Sequence, residues 1–414
     1  MKNFFCQIGP FLYKERTFIM NKRFVYLFAG ILVLCCAGLL FSWSIFSSTI
    51  AEEFPSWNNR KLTTTYTFFT FFFCIGGFLS SVILKHVTCR VSYLAAAFCM
   101  LIGFFSAASA KNAIQLYVGY GVLCGLSTGI LLNTTMTAVV SWFKNRTGFI
   151  SGLLLMGEGI GSFIIGKTFQ EICIINEYSW RHAFKTFGIV FTIILILASF
   201  FIYVNSDKTA LSKKEIPNCY LNIPPQLMLR KKSFQLFFCL VVLQTFAGLA
   251  FLSQAQGMII QITSMAPTEE IAVIIGILSV CNSLGVLIIG GLFDILRYYH
   301  TILLTAVGYV FGAVITFLSI YISNISLLIC GFIIFGIFFG GGNALNTAVI
   351  LKLYGSTHYS GNYAVLNFNM LISSLGGLTA GVLIDLFGNY LFLLMGIVFF
   401  GIVSLLLGFL MKTP

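Results

Sequence analysis

Apolar residues are gathered into twelve long runs, 24–48, 62–84, 91–110, 113–141, 148–168, 186–204, 235–262, 271–293, 301–322, 325–350, 362–385 and 390–411, parted by short polar segments. A helix needs ~20 residues to cross a hydrocarbon layer ~30 Å thick, and each run is about that long or longer. Lipid offers no partner to a backbone N–H or C=O, so each run must close its own hydrogen bonds as a helix. A transmembrane β-barrel is excluded by the lack of strand-like alternation of apolar and polar residues. The pattern predicts an all-α membrane protein of twelve transmembrane helices. The polar breaks divide it into a segment 1–23, a six-helix half 24–204, a linker 205–234, a second six-helix half 235–411 and a tail 412–414.

Composition sharpens this picture. Of 414 residues, 58% are hydrophobic and 9% charged; a soluble domain holds roughly 45–50% and 25%, so a soluble globular enzyme is excluded. The net charge of +12 is spread over short loops, which argues for membrane orientation and against a nucleic-acid partner. With the amino terminus inside, 18 Lys and Arg fall in inner segments and six in outer ones. The positive-inside rule then places both termini in the cytoplasm and the chain in the cell membrane. No apolar core with a small-residue cleavage site opens the chain, so no removable signal is expected, and Met20 is a second candidate start. The cysteines lie mostly in apolar runs, without metal-ligand spacing, and His86, His182, His300 and His358 sit at loop edges. No cofactor, metal site or enzymatic motif is expected.

The two halves repeat. Gly121, Asn133, Thr137, Ala138 and Val139 recur 210 positions later as Gly331, Asn343, Thr347, Ala348 and Val349, and Gly76-Gly77 recurs as Gly290-Gly291. Two repeats joined by a basic linker describe a transporter with its site between the repeats.

Several segments resemble a known family. Span one reads Phe41-Ser-Trp-Ser-Ile-Phe46. The junction of spans four and five reads Trp142-Phe143-Lys144-Asn145-Arg146-Thr147-Gly148, followed by Gly152, Gly157, Gly159 and Gly161. Spans ten and eleven carry Gly340-Gly341-Gly342, Tyr354-Gly355 and Gly361-Asn362-Tyr363. Over residues 22–411 the sequence resembles the major facilitator superfamily, and within it the oxalate:formate antiporter (OFA) family, related to the monocarboxylate transporters. The resemblance implies the major facilitator fold and no enzyme activity. The superfamily's inner-loop motif is matched by Gly290, Asp294 and Arg297, and in the first half by Gly77, Lys85 and Arg90, with Ser81 where an Asp is expected. It implies a conformational latch at Asp294, Arg297, Lys85 and Arg90; the basic residues serve equally to set topology. The resemblance also implies that oxalate is held by an Arg in span eight and a Lys in span eleven. Here Val286 stands at the first of those positions and Met370 at or near the second, and an unpaired dianion in an apolar cavity is costly, so oxalate is not expected as the substrate.

The polar residues that remain for a cavity between the spans are mostly uncharged. Asn282, Asn133, Asn343, Tyr66, Gln254, Asn369 and Trp43 are the candidate substrate-binding residues, with Asn282 first because it precedes the span-eight Arg position by one turn. Amides inside spans also serve as interhelical bonds, worth roughly 0.6–2 kcal/mol, and Trp43 would equally anchor span one at the interface. Glu158 sits about ten residues from either end of span five, where a charged carboxylate costs roughly 2.5–3.5 kcal/mol and usually faces a cavity. Three roles are open to it: proton coupling, a bond to a neighbouring helix, or a counter-ion to a cationic solute. The sequence therefore predicts a secondary active transporter, monomeric, moving a small organic acid, a monocarboxylate in the first instance, by proton symport or exchange. Transport of a neutral or cationic solute is the alternative, as is a non-transporting sensor on the same scaffold.

Overall fold

The computed structural model describes residues 23–54, 57, 59–143, 146–175, 179–202, 222–263 and 269–411. Among them there is no strand. Eleven helices are long and apolar enough to cross a membrane: α2 Asn59–His86, α3 Cys89–Ala108, α4 Ala113–Val140, α5 Thr147–Cys173, α6 Trp180–Phe201, α7 Lys232–Thr263, α8 Glu269–Ile295, α9 Tyr298–Ile322, α10 Ile325–Tyr354, α11 Tyr359–Phe387 and α12 Tyr390–Leu410. The first apolar run, α1, differs from the expected single helix. It is divided at Gly38 into Arg23–Ala37 and Leu39–Glu53. Gly38 lies against the backbone of Glu158 and Ser162, so a side chain there would drive α1 off α5. The segment 1–22, most of the linker (203–221) and the tail 412–414 lie outside the described residues.

Helix pairing repeats with an offset of six. In the first half α1 packs on α5, α2 on α4, and α3 on α4 and α6; in the second, α7 packs on α11, α8 on α10, and α9 on α10 and α12. Contact between the two sets runs through α5 with α8 and α10, and through α11 with α2 and α4. The outward faces carry large apolar side chains such as Phe163, 73% exposed, Phe98 and Phe399. Such a surface suits hydrocarbon and not water. Inside the first half, Tyr120 donates a hydrogen bond to Leu39 O (2.9 Å) and packs its ring on Trp43, Phe69 and Phe184.

With lipid on the outside, helices gain no hydrophobic advantage from meeting and must win by close packing, which small residues allow. Gly129 of α4 sits on the carbonyl of Phe73 in α2, and Gly285 of α8 on that of Ile337 in α10. In Gly285→Val the new side chain strikes backbone. The expected loss is about 2 kcal/mol or more, read as a lower melting temperature in detergent. Gly381→Ala, with no atom within 4 Å of the new carbon, should leave the melting temperature unchanged.

Candidate functional site

A cavity of about 80 Å³ lies between the two sets of helices. By the same measure one water needs ~10–15 Å³, so there is room for a small solute. Phe73 of α2 and Leu132 of α4 line it on one side. Glu158 and Gly159 come from α5, Asn282, Ser283 and Val286 from α8, Asn343 and Asn346 from α10, and Tyr363, Asn367, Asn369 and Met370 from α11. Five asparagines and one carboxyl group thus face the space, and among the described residues no Lys, Arg or His lines it. Val286 puts an apolar side chain at the first position that the oxalate:formate resemblance gives to a cation, and Met370 at or near the second.

Local structure explains how these side chains reach the cavity. α5 is thin on two faces: Gly157 and Gly161 meet Ile31 and Cys35 of α1, while Gly152 and Gly159 meet Val286 and Ser283 of α8. Glu158 is thereby wedged between helices, 7% exposed. α11 is broken at Phe368 and Ser374 into Tyr359–Asn367, Asn369–Ser373 and Leu375–Phe387. The first break lies between the two asparagines that α11 contributes. Asn369 donates to Leu366 O within its own turn (2.7 Å), leaving its buried Oδ1 without a partner. Asn282 likewise has a buried Oδ1 with no partner. Buried polar atoms are nearly always paired, and these two are acceptors, so they are prepared for a hydrogen-bond donor that enters the cavity.

Below the cavity, at the end of the helices nearest the linker, the two sets are fastened together. Asp294, in the last turn of α8, accepts hydrogen bonds from Gly148 N and Phe149 N at the start of α5, both 2.9 Å. A carboxylate on the first turn of a helix satisfies donors with no intrahelical partner and meets the positive end of the helix dipole. Gly148 and Gly290 touch backbone to backbone there. Nearby, Asn133 of α4 donates to Gly77 O (2.7 Å) and Ser360 O (3.1 Å), and its Oδ1 accepts from Ser360 Oγ (2.9 Å). Cys74 Sγ donates to Asn367 O (3.3 Å), a further tie between α2 and α11.

Several candidates from the sequence stand elsewhere. Asn133 does not line the cavity: its amide is taken up in the fastening just described. Trp43 is packed on Tyr120 with ring centroids 4.8 Å apart, inside the first half. Tyr66 lies half-buried on α2, outside the cavity lining, where its carbonyl accepts from Thr70 Oγ1. Gln254 is half-buried on α7, also outside the lining. Of the expected latch, Asp294 holds backbone N–H groups of α5, while Arg297 is exposed at the N-cap of α9. Arg90 lies over the Phe200 ring at 5.2 Å, in its own half. The Lys85 side chain lies outside the described residues. Tyr363 stands in the Gly361-Asn362-Tyr363 segment without having been read as a site residue, while Gln244, polar within an apolar run, and Ser360, just before one, carry site geometry with no motif of their own.

Residues 26–377 match the family model of the Major Facilitator Superfamily. Human monocarboxylate transporter 12 is 25% identical over 363 residues, covering 80% of this chain and 69% of its own. The MFS-type transporter YhjX of Escherichia coli is 19% identical over 356 residues, 86% of each. The fold is similar to that of the proton:xylose symporter XylE (TM-score 0.67, 14% identity, 92% of this chain and 95% of the other). It is also similar to that of the E. coli fucose:proton symporter FucP (TM-score 0.66, 13% identity, 94% and 98%).

Removing the carboxylate in Asp294→Ala should cost closure at this end ~0.5–2 kcal/mol, the usual worth of a helix cap, and so raise the open population several-fold. Peptide-resolved alkylation of Cys74, 1% exposed in this state, should accelerate accordingly. An unchanged rate would show that Asp294 does not hold the two sets together.

Proposed function

The chain belongs to the Major Facilitator Superfamily, and on that footing we propose that it moves a small organic acid with one carboxylate across the cytoplasmic membrane, with a proton carried on Glu158. The single observation that carries this reading is the cavity's charge: one carboxyl group, five carboxamides and, among the described residues, no fixed cation. A carboxylate solute beside an ionised Glu158 would set two like charges in an apolar chamber, which is unfavourable. A proton on Glu158 removes one charge and makes its hydroxyl a donor to the incoming carboxylate. The solute is then held by hydrogen bonds from amides such as Asn282, and a dianion such as oxalate is left short of countercharge. The halves 24–204 and 235–411 alternate about this site in a monomer. If the basic linker end is cytoplasmic, the fastening through Asp294 and Asn133 closes the inner side, and the state described is the one that loads from outside.

In proteoliposomes, an inward proton gradient should drive accumulation of a short monocarboxylate, and the uptake should alkalinise the outside. Glu158→Gln should reduce this driven accumulation by roughly ten-fold or more, a coupling of the usual size, while exchange of internal for external solute persists. Accumulation that is indifferent to the proton gradient would sink the proposal.

A second reading is favoured by the five asparagines, since carboxamides serve hydroxyl groups as well as carboxylates. The solute is then neutral, or cationic with Glu158 as counter-ion. In that case Glu158→Gln should abolish binding of the cation itself, and monocarboxylates should not compete.

A further inference from the structure

A small side chamber of about 10 Å³ opens beside the main cavity, between α7 and α10. Val241, Gln244, Thr245, Phe339 and Gly342 wall it, and Asn343 and Asn346 line both spaces. Its size is about that needed for one water oxygen. Gln244 is 8% exposed, and its amide nitrogen has no hydrogen-bond partner among the described residues. Its place is fixed from behind, where Tyr309 OH donates to Gln244 O at 3.3 Å. Gly342 leaves open the space opposite, with Gln244 Oε1 3.7 Å from where a side chain would begin.

An unpaired donor in so dry a place costs about as much as a hydrogen bond is worth, and helices stapled only for packing would not need it. From this we infer that the side chamber is a second binding subsite, which takes a hydrogen-bond-accepting oxygen, such as a hydroxyl or carbonyl, at the end of the solute remote from the group near Glu158. The solute class is thus bifunctional: a short chain polar at both ends, spanning from Glu158 and Asn282 on one side to Gln244 on the other. The tail oxygen accepts from Gln244 Nε2 and so pairs a donor otherwise left without a partner, which favours binding. This rests on the cavity being the solute site, but not on the choice between an acid and a neutral solute.

The test uses two matched pairs on the purified full-length protein: butanoate against its ω-hydroxy derivative, and butanol against butanediol. Affinity is read by ligand-induced thermal stabilisation. One added hydrogen bond should make the ω-hydroxylated member of a pair bind roughly five-fold tighter. In Gln244→Met, close in shape but without donors, that ratio should fall to about one. A wild-type ratio near one in both pairs overturns the inference without any variant, as does a ratio that survives the substitution. If the acids fail to bind while the alcohol pair shows the gain, the monocarboxylate reading falls and the side chamber stands. If none of the four binds, both fall.

Discussion

Everything in this molecule follows from a solvent that forms no hydrogen bonds. Because lipid satisfies no backbone group, each span must be a helix complete in itself. Because lipid tails are as apolar as leucine, those helices are not driven together as they would be in water. They meet where glycine removes the side chain between them, as at Gly129 on Phe73, Gly161 on Cys35 and Gly285 on Ile337. Polar side chains are then confined to places lipid does not reach. The cavity collects Glu158 and five asparagines for the same reason that the outer faces collect Phe98, Phe163 and Phe399.

The two ends of the molecule are tied differently. Near the linker, Asp294 and Asn133 join one set of helices to the other. At the opposite end, Glu53 accepts from Trp180 Nε1 and Arg181 Nη1, and Arg181 also donates to Ala110 O (2.8 Å). All of those residues belong to the first half. In the alternation proposed above, the first arrangement would come apart as that end opens, while the second, confined to one half, would be carried along unbroken. Stiff halves and a breakable seam are what alternation about a central site requires.

Much of this was legible in the sequence. Run length alone gave the spans, because the lipid constraint is strong and acts on every residue in a run. The break at Gly38 was not, since a glycine in an apolar run reads as packing until α5 is seen against it. For the site, polarity at mid-span marked Glu158, Asn282, Asn343 and Asn369, and the structure gathers these four at one cavity. It could not tell which way a lone amide points. Gln244 and Gln254 share α7, but ten residues at about 100° each leave them about 80° apart around the helix, and the former faces the interior. Asn133 looked the same as its repeat-mate Asn343, yet its neighbour across the seam is Ser360, and only the tertiary fold supplies that.

The fastening at Asp294 has a further property. Its partners on α5 are main-chain N–H groups, which every amino acid but proline supplies. The hydrogen bond at position 149 is therefore indifferent to the side chain there, although the Phe149 ring also packs toward Gly291 across the seam, while 148 is restricted to glycine by the contact with Gly290. No long, mobile side chain has to be ordered each time the seam re-forms, so little rotamer entropy is spent on closing it. A joint made this way is silent in the identity of one of its two residues, and a survey of side chains alone would pass over it.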